Sequence, residues 1–187
     1  DLKRVVLPEG KRYLTTGGHY AYLKIAEGCD KHCTYCAIPS IRGPFRSVPM
    51  DSLFREALSL AEGGVKELIL VAQETTLYGT DLYGRKCLHE LIRKLAGIEQ
   101  IRWIRVMYCY PEEIYDELIE CMKTEPKFVH YLDIPIQHSS DDVLKRMGRR
   151  TCEADLREII GKLRGAVPDI ILRTTLITGF PGETREQ

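Results

Sequence analysis

The stretch IAEGCDKHCTYCAIPSIRG, residues 25–43, contains Cys29, Cys33 and Cys36 in a CxxxCxxC pattern. Cysteine thiolates are the ligands that bind iron–sulfur clusters, and three of them within eight residues can surround one cluster. An electron-transfer cluster normally has four cysteine ligands, and a structural zinc ion also has four protein ligands. The pattern therefore predicts an iron–sulfur site that leaves one iron open to a reactive group.

Other kinds of site are compatible with cysteines at this spacing. A structural zinc ion would need His19 or His32 as a fourth ligand, and His32 would require the chain to fold back within three residues. Disulfide bonding is disfavoured, because the seven cysteines are an odd number and nothing marks the chain as secreted. An electron-transfer or structural iron–sulfur module stays open as an alternative, but the next cysteine after Cys36 is Cys87.

The composition is that of an ordinary globular protein. Of the 187 residues, 44% are apolar and 29% are charged, which is enough to build a substantial core in one domain. The 27 basic and 27 acidic side chains cancel, so no net charge favours general binding to nucleic acid or to a membrane. No apolar run is long enough to span a bilayer, and the first residues lack a signal pattern, so we expect a cytoplasmic protein.

Both ends of the sequence look like cut points. The chain begins with Asp1 instead of methionine, and it stops at FPGETREQ, just after a predicted strand. We therefore expect the chain to be a piece of a longer protein. Residues 1–18 show no clear hydrophobic period and are predicted to be a linker into a domain that covers residues 19–187.

Strands and helices are predicted to alternate along the sequence. Apolar spacing predicts strands at residues 21–28, 67–73, 103–108, 128–136 and 170–177, and helices at 51–62, 87–96, 111–122, 141–147 and 153–163. Asp51 is expected to cap the first helix, Pro111 to begin the third, and the apolar run 68–72 to be buried on both faces of a sheet. The alternation predicts an α/β fold with one parallel sheet, whose functional residues gather at the carboxyl ends of the strands.

Polar residues follow several of the predicted strands. Gln73 follows the second strand and either binds a ligand or merely caps its loop, and Gln137 and His138 follow the fourth. Five arginines either bind an acidic substrate or form a solvated basic rim: Arg42, Arg46, Arg146, Arg149 and Arg150. The cysteines outside the loop are expected to be packing residues, namely Cys87, Cys109, Cys121 and Cys152.

The cysteine loop, with Tyr35 directly before its last cysteine, resembles the cluster loop of the radical S-adenosylmethionine (SAM) enzymes. The resemblance implies a four-iron, four-sulfur cluster held by Cys29, Cys33 and Cys36, with SAM bound to the fourth iron. The implied fold is a partial TIM-type barrel of six βα units, of which about five are present here. The implied contacts to SAM come from Tyr35, Gln73, Gln137, Ile177 and Gly179. No catalytic side chain is assigned.

Over residues 12–184 the chain is similar to methylthiotransferases, which insert sulfur into an unactivated C–H bond and then methylate it. The blocks LTTGGHYAYLKIAEGCD, VAQETTLYGTDLYG, DIPIQHSSDDVLKRMGRR and ITGFPGET resemble the RimO-type enzymes, which modify an aspartate of a small-subunit ribosomal protein. The resemblance implies that a 5′-deoxyadenosyl radical abstracts hydrogen from the aspartate β-carbon and that a second SAM donates the methyl group. It also implies an electron donor of the flavodoxin or ferredoxin type.

The transfer-RNA branch of the same family, which modifies adenosine, is the alternative substrate class. That branch usually has Gly-Gln-Asn at the end of the second strand, where this sequence has Ala72-Gln73-Glu74. The family's N-terminal domain, with its second cluster, and its small C-terminal β-domain are expected to be absent from this piece. We therefore expect the piece to bind its cluster and cleave SAM slowly, but not to complete the reaction alone.

Overall fold

The structure is a computed structural model that describes residues 14, 15 and 17–187. Most of the predicted linker, residues 1–18, lies outside the described residues. The strands are β1 (Tyr20–Lys24), β2 (Ala26–Glu27), β3 (Arg46–Ser47), β4 (Glu67–Val71), β5 (Trp103–Val106), β6 (Phe128–Asp133) and β7 (Ile171–Arg173). The α-helices are α1 (Ile38–Arg42), α2 (Met50–Glu62), α3 (Thr80–Tyr83), α4 (Leu88–Ala96), α5 (Asp116–Thr124), α6 (Asp141–Arg146) and α7 (Glu153–Ala166), and a 3₁₀ turn covers Pro111–Glu113.

Five strands form one parallel sheet in the order β1-β4-β5-β6-β7, which is also their order along the chain. Each neighbouring pair of strands is joined by a segment that contains a helix, as parallel pairing requires. The predicted α/β class with barrel-type βα units is thereby confirmed. β7 is the last strand, so the described part of the chain holds five strands of the parallel sheet and the helices that follow the first four of them.

The core lies between one face of the sheet and the helices. Alternate strand residues such as Leu23, Leu70 and Val106 are fully buried there against apolar helix faces. The clearest of these faces is that of α4, which buries Leu88, Leu91, Ile92 and Leu95 as the sequence predicts. Each such side chain contributes about 1.5–3 kcal/mol through its removal from water.

The other face of the sheet is open within the described residues. β4 was expected to be buried on both faces, but Ile69 and Val71 are only half-buried, whereas Leu68 and Leu70 are fully buried. The expectation was wrong because no described element covers the face on which Ile69 and Val71 lie. The alternation places the half-buried residues on a concave surface next to the cysteine loop.

Two predicted helix starts are wrong. α2 begins at Met50 after Pro49, so Asp51 lies in the first turn and forms an ion pair with Lys94 instead of capping the helix. The helix expected from Pro111 is a short 3₁₀ turn, followed by extended backbone at Ile114 before α5 begins. At this break the ammonium group of Lys86 donates to the carbonyl oxygen of Glu113 at 2.9 Å.

A small antiparallel pair of strands, which the sequence did not indicate, closes the cysteine loop. Ala26 of β2 pairs with Ser47 of β3, so residues 28–45 form one loop between two paired strands. Ser47 also accepts a hydrogen bond from the Gly79 amide at 3.0 Å and donates its own amide to Asp81 at 2.8 Å. The base of the cysteine loop is thus fixed to the segment that follows β4. None of the described helices is long and apolar enough to cross a bilayer.

Candidate metal centre and cofactor cleft

The cysteine loop lies at the carboxyl end of β1, as predicted. Cys29 and Cys33 are buried, while Cys36 is exposed. The Cys29 amide donates to the carbonyl oxygen of Gly43 at 3.1 Å, and the Cys36 amide donates to the carbonyl oxygen of Cys33 at 3.0 Å. These bonds close the loop and place the last cysteine one tight turn after the second.

Gly28 allows the loop to leave the sheet through a narrow passage. Its φ angle is +79°, and a Cβ atom at this position would collide with the carbonyl oxygens of Gly43 and Pro44. The Gly28 amide donates to Oε1 of Gln73 at 2.8 Å. Gln73 therefore anchors the cysteine loop, which is the loop-capping role that the sequence analysis gave as one of two alternatives. If SAM also contacted Oε1 of Gln73, it would share that oxygen with the Gly28 amide.

The far side of the cysteine loop rests on the segment that ends α6. The amide of Thr34 donates to the carbonyl oxygen of Met147 at 3.0 Å, and its hydroxyl donates to that of Arg146 at 2.9 Å. Gly148, with a φ of +72°, approaches so closely that a Cβ there would lie 3.0 Å from the carbonyl oxygen of His32. The side chain of His32 is exposed, and no three metal-ligating side chains among the described residues are grouped to hold a single metal ion.

Tyr110, which follows β5, reaches across to the second cysteine of the loop. Its hydroxyl lies 2.9 Å from Cys33 Sγ. The guanidinium carbon of Arg149 lies 4.0 Å from the centre of the Tyr110 ring, within the range of a cation–π contact. Arg149 Nη2 donates to the carbonyl oxygen of Pro135 at 2.9 Å, whereas its Nε and Nη1 have no partner among the described residues.

Tyr35 is 39% exposed and lies beside the same cysteine. Partial burial and the neighbouring Cys33 raise the pKa of Tyr35, so its hydroxyl stays protonated at neutral pH. Burial likewise raises the pKa of the Cys29 thiol, although the amide of Lys31, 3.4 Å from Cys29 Sγ, opposes that effect. The loop thus presents sulfur ligands with hydrogen-bond donors around them, which is the usual environment of cluster cysteines.

An ion-pair network joins the cysteine loop to the turn after β5. The ammonium group of Lys31 pairs with Glu113, lies 3.3 Å from Glu112 and stands 4.9 Å from the centre of the Tyr110 ring. Glu113 also pairs with Lys86 at 2.9 Å. The partly buried charges hold the loop and the turn in one arrangement.

Glu74 is fully buried beneath the cysteine loop. Its Oε1 accepts hydrogen bonds from the amide of Thr76 at 2.9 Å and from the Thr76 hydroxyl, while Oε2 has no partner among the described residues. Burial raises the pKa of Glu74 from its ordinary 4.5 to about 7. The carboxyl group is therefore partly protonated near neutral pH.

The segments after β6 and β7 pair with each other. Gln137 has a φ of +71°, accepts a hydrogen bond from the amide of Ile177 at 2.8 Å and donates its own amide to the carbonyl oxygen of Thr175 at 2.9 Å. Ile177 is half-buried, and Gly179 is exposed with a φ of +76°. The structure therefore brings together the last three residues that the resemblance connects with SAM.

His138 links the same two segments. Its Nδ1 accepts a hydrogen bond from the Ser140 amide at 2.9 Å, so the proton lies on Nε2, which donates to Glu183 Oε1 at 3.3 Å. Glu183 Oε2 accepts from the Phe180 amide at 2.8 Å. His138 thus hydrogen-bonds the local backbone and one carboxylate.

A cleft of about 350 Å³ opens on the concave face beside Gln73. Sequence reasoning missed most of its lining, which comprises Tyr22, Lys24, Val71, Ala72, Gln73 and Tyr108. The alternation of β1 could have indicated Tyr22 and Lys24, because both lie on the face opposite to the core residues Ala21 and Leu23. Tyr108 has a φ of +61°, a strained backbone for a bulky residue, and the sequence carries no sign of it.

The arginines and the remaining cysteines are mostly explained by local contacts. Arg146 and Arg46 bind the carbonyl oxygens of Pro181 at 2.7 Å and Pro44 at 2.8 Å, which leaves them less available to an acidic substrate. Cys87, Cys109 and Cys121 are buried, as expected of packing residues. Cys152 is half-buried and lies at the start of α7, where its amide donates to Asp155 at 2.9 Å.

The donor set fits an iron–sulfur cluster with three protein ligands. All three sulfur atoms belong to one loop, two are buried, and hydrogen-bond donors lie against Cys29 and Cys33. The absence of three converging ligands for one ion among the described residues does not conflict with this fit, because the cysteines of a cluster bind different irons.

Comparison with known proteins agrees with this geometry. The sequence model of the radical SAM superfamily matches residues 23–187. A protein of Lachnoclostridium phytofermentans named ribosomal protein uS12 methylthiotransferase RimO is 69% identical over 94% of this chain and 40% of its own length. Proteins of the same name from Clostridium botulinum and Acetivibrio thermocellus are each 60% identical, over 95% and 98% of this chain. The chain spans about 40% of the length of these relatives.

Two solved structures share the fold. The radical SAM methyltransferase TsrM from Kitasatospora setae, with tryptophan and the SAM analogue aza-SAM bound, matches with a TM-score of 0.70 at 17% identity, over 90% of this chain and 32% of TsrM. The cobalamin-dependent SAM radical enzyme OxsB, with aqua-cobalamin and SAM bound, matches with a TM-score of 0.64 at 17% identity, over 83% of this chain and 23% of OxsB. At this identity the likeness concerns the fold alone.

Proposed function

The chain belongs to the radical SAM superfamily, and from that premise we propose that it is the cluster- and SAM-binding part of a methylthiotransferase that modifies a ribosomal protein. The observation that carries the proposal is the closed loop with three free cysteines at the carboxyl edge of the parallel sheet, next to an open cleft. The identity of up to 69% to proteins named uS12 methylthiotransferases supports this choice of substrate.

Cys29, Cys33 and Cys36 would hold a four-iron, four-sulfur cluster, and SAM would occupy its open iron. When bound, the cluster supplies one electron to SAM, whose reductive cleavage is the source of radical chemistry. The chain's own residues bind and orient these groups: Gln73 and Gly28 fix the entry of the loop, and Thr34 fixes its far side. A phenol, Tyr35, borders the cluster side of the site.

The remaining contacts to SAM are proposed from the strand ends. The paired backbone of Gln137 and Ile177 and the exposed Gly179 offer a surface that a flat adenine ring can approach, since glycine has no side chain to block it. Gln73 lies at the rim of the cleft and retains its amide NH₂ group for a ligand, while its Oε1 is engaged by Gly28. These assignments rest on placement and on the resemblance.

The proposed product is a methylthio group on the β-carbon of an aspartate in the small-subunit protein uS12. Hydrogen abstraction at an unactivated carbon requires that water be kept from the reacting atoms, and the concave face between β1 and β5 is the surface on which a substrate segment would lie. A donor of the flavodoxin or ferredoxin type, a cytoplasmic location and the flanking domains of the family belong to the same proposal. The transfer-RNA alternative has no specific contact in its favour.

Electron paramagnetic resonance of the anaerobically reconstituted and reduced chain tests the proposal. We expect a four-iron signal that shifts when SAM is added, and release of 5′-deoxyadenosine after dithionite is added. A triple variant, Cys29→Ala/Cys33→Ala/Cys36→Ala, must lose both, whereas Cys152→Ser, outside the loop, must keep both. Bound zinc, or an iron signal that SAM leaves unchanged, would overturn the proposal in favour of a closed structural or electron-transfer site.

The substrate is tested separately in a strain that lacks the parent gene. We expect uS12 from this strain to lack the methylthio group, while its transfer RNA contains a normal amount of methylthio-adenosine. The reverse pattern would assign the chain to the transfer-RNA branch without changing the cluster assignment.

A further inference from the structure

Tyr110 makes a hydrogen bond that local sequence does not suggest. It follows β5, lies 77 positions from Cys33 in sequence, and places its hydroxyl 2.9 Å from the Cys33 sulfur. Once Cys33 is a thiolate, Tyr110 is necessarily the donor and the sulfur the acceptor.

Arg149 brings a positive charge to the same place. The residue is 7% exposed, and no carboxylate among the described residues lies within ion-pairing distance of its guanidinium. Its Nη2 binds the Pro135 carbonyl, its planar face lies 4.0 Å from the Tyr110 ring centre, and its Nε and Nη1 lack partners. A buried cation without a counter-charge is costly, which indicates that a negative group completes the site.

The other two cysteines lack such an arrangement. Cys29 Sγ accepts a backbone hydrogen bond from Lys31 at 3.4 Å, and Cys36 is exposed. Within the described residues, the Tyr110 hydroxyl contacts Cys33 Sγ, and the Tyr35 hydroxyl lies within reach of the same sulfur. The electrostatic environment of the three ligands is therefore asymmetric.

We propose that Tyr110 and Arg149 act together on Cys33 to raise the reduction potential of the cluster, and so ease the entry of one electron. The inference rests on the proposed function, because it requires the cluster. A hydrogen bond to a ligand sulfur and a nearby positive charge both stabilise the reduced form, which carries one more negative charge. One electron comes from a low-potential one-electron donor, no bond breaks, and the proton stays on the Tyr110 oxygen.

The test is a redox titration of the reconstituted chain, followed by electron paramagnetic resonance. Tyr110→Phe removes the hydroxyl and keeps the ring, and we expect it to lower the equilibrium constant for one-electron reduction about tenfold, which is a shift of ~59 mV to more negative potential. Arg149→Gln is expected to shift the potential in the same direction, and Arg149→Lys less, because lysine keeps the charge. Tyr115→Phe is the matched control, since the hydroxyl of this half-buried residue contacts His89 instead of a cysteine.

A second replacement keeps the inference testable if Tyr110→Phe fails to fold. Placing 3,5-difluorotyrosine at position 110 makes the phenol a stronger donor, and we expect the potential to move to less negative values. If the Tyr110 and Arg149 variants all have the same reduction potential as Tyr115→Phe, this inference is overturned. The proposed function stays intact in that case, provided that the cluster still responds to SAM. A wild-type chain that assembles no cluster would overturn both.

Discussion

At the scale of single residues, burial makes the ionisation of Glu74 depend on folding. Its carboxyl is buried, one oxygen has no partner among the described residues, and its pKa is raised from 4.5 to about 7. The folded state keeps this proton over a range of pH in which the unfolded chain releases it. The free energy of unfolding therefore falls as the pH rises from about 4.5 to about 7.

Glu74→Gln tests this dependence. The amide is neutral at every pH and retains the oxygen that Thr76 binds, so we expect little change in stability at pH 5 but a gain of up to about 3 kcal/mol at pH 8. Urea unfolding of the apo chain across this pH range measures the effect. Glu158→Gln, at an exposed position on α7, is the control, and its unfolding free energy should vary with pH as that of the wild type does. If the unfolding free energy of Glu74→Gln varies with pH in the same way, Glu74 ionises freely in the folded chain.

At the scale of elements, the cysteine loop depends on how closely its two ends approach each other at Gly28. We expect Gly28→Ala to lower the free energy of unfolding by about 3 kcal/mol and to reduce iron incorporation, because it combines a positive φ with a collision against two carbonyl oxygens. Gly84→Ala is the matched control: its φ is +70° but no atom lies within 4 Å of the added Cβ, so a loss of about 1 kcal/mol is expected. Urea unfolding and iron analysis are applied to both variants. Equal losses of unfolding free energy in Gly28→Ala and Gly84→Ala would mean that the backbone relieves the collision at no cost.

Glu183 holds the segment after β7 in place through Phe180 and His138. Glu183→Ala leaves the amide of Phe180 and Nε2 of His138 without their acceptor, so we expect faster hydrogen exchange over residues 177–184 and severalfold weaker SAM binding. Hydrogen exchange followed by mass spectrometry measures the first effect. The exposed Glu99→Ala should change neither quantity, and unchanged exchange in Glu183→Ala would show that the strand pairing alone orders this segment.

At the scale of the whole molecule, the candidate site connects elements that are distant in sequence. The loop of residues 28–45 contacts the ends of β4, β5 and α6 through Gln73, Tyr110 and Met147. A cluster that binds the folded chain and not the unfolded chain must stabilise this whole arrangement. The loop and the end of α6 should therefore respond to the cluster together.

We expect reconstitution with iron and sulfide to raise the melting temperature and to slow amide exchange at least about tenfold over residues 29–36 and 146–149. Differential scanning calorimetry and hydrogen exchange under anaerobic conditions make the comparison. The triple cysteine-to-alanine variant should show no difference between the two conditions. Protection of the cysteine loop without protection of residues 146–149 would contradict the coupling through Thr34.

Much of this architecture was predictable because it depends on local patterns. Apolar spacing gave α4 with its four buried residues, and the alternation of strands and helices gave the parallel sheet. Asp51 was wrongly predicted as a helix cap and Pro111 as the start of a continuous helix, because local sequence does not fix the exact ends of helices. The full burial expected for Ile69 and Val71 also failed, because sequence cannot show which face of a sheet is covered.

The sequence by itself determined the kind of site. Three cysteines within eight residues stay close together in any fold, so they can bind one cluster whatever the rest of the chain does. The tertiary structure alone decided the surroundings of these sulfurs. Gln73 reaches Gly28 across 45 positions, and Tyr110 reaches Cys33 across 77. Such contacts depend on strand order and register, which bring the ends of strands that are distant in sequence to one edge of the sheet. No local pattern of residues shows which strand ends will meet there.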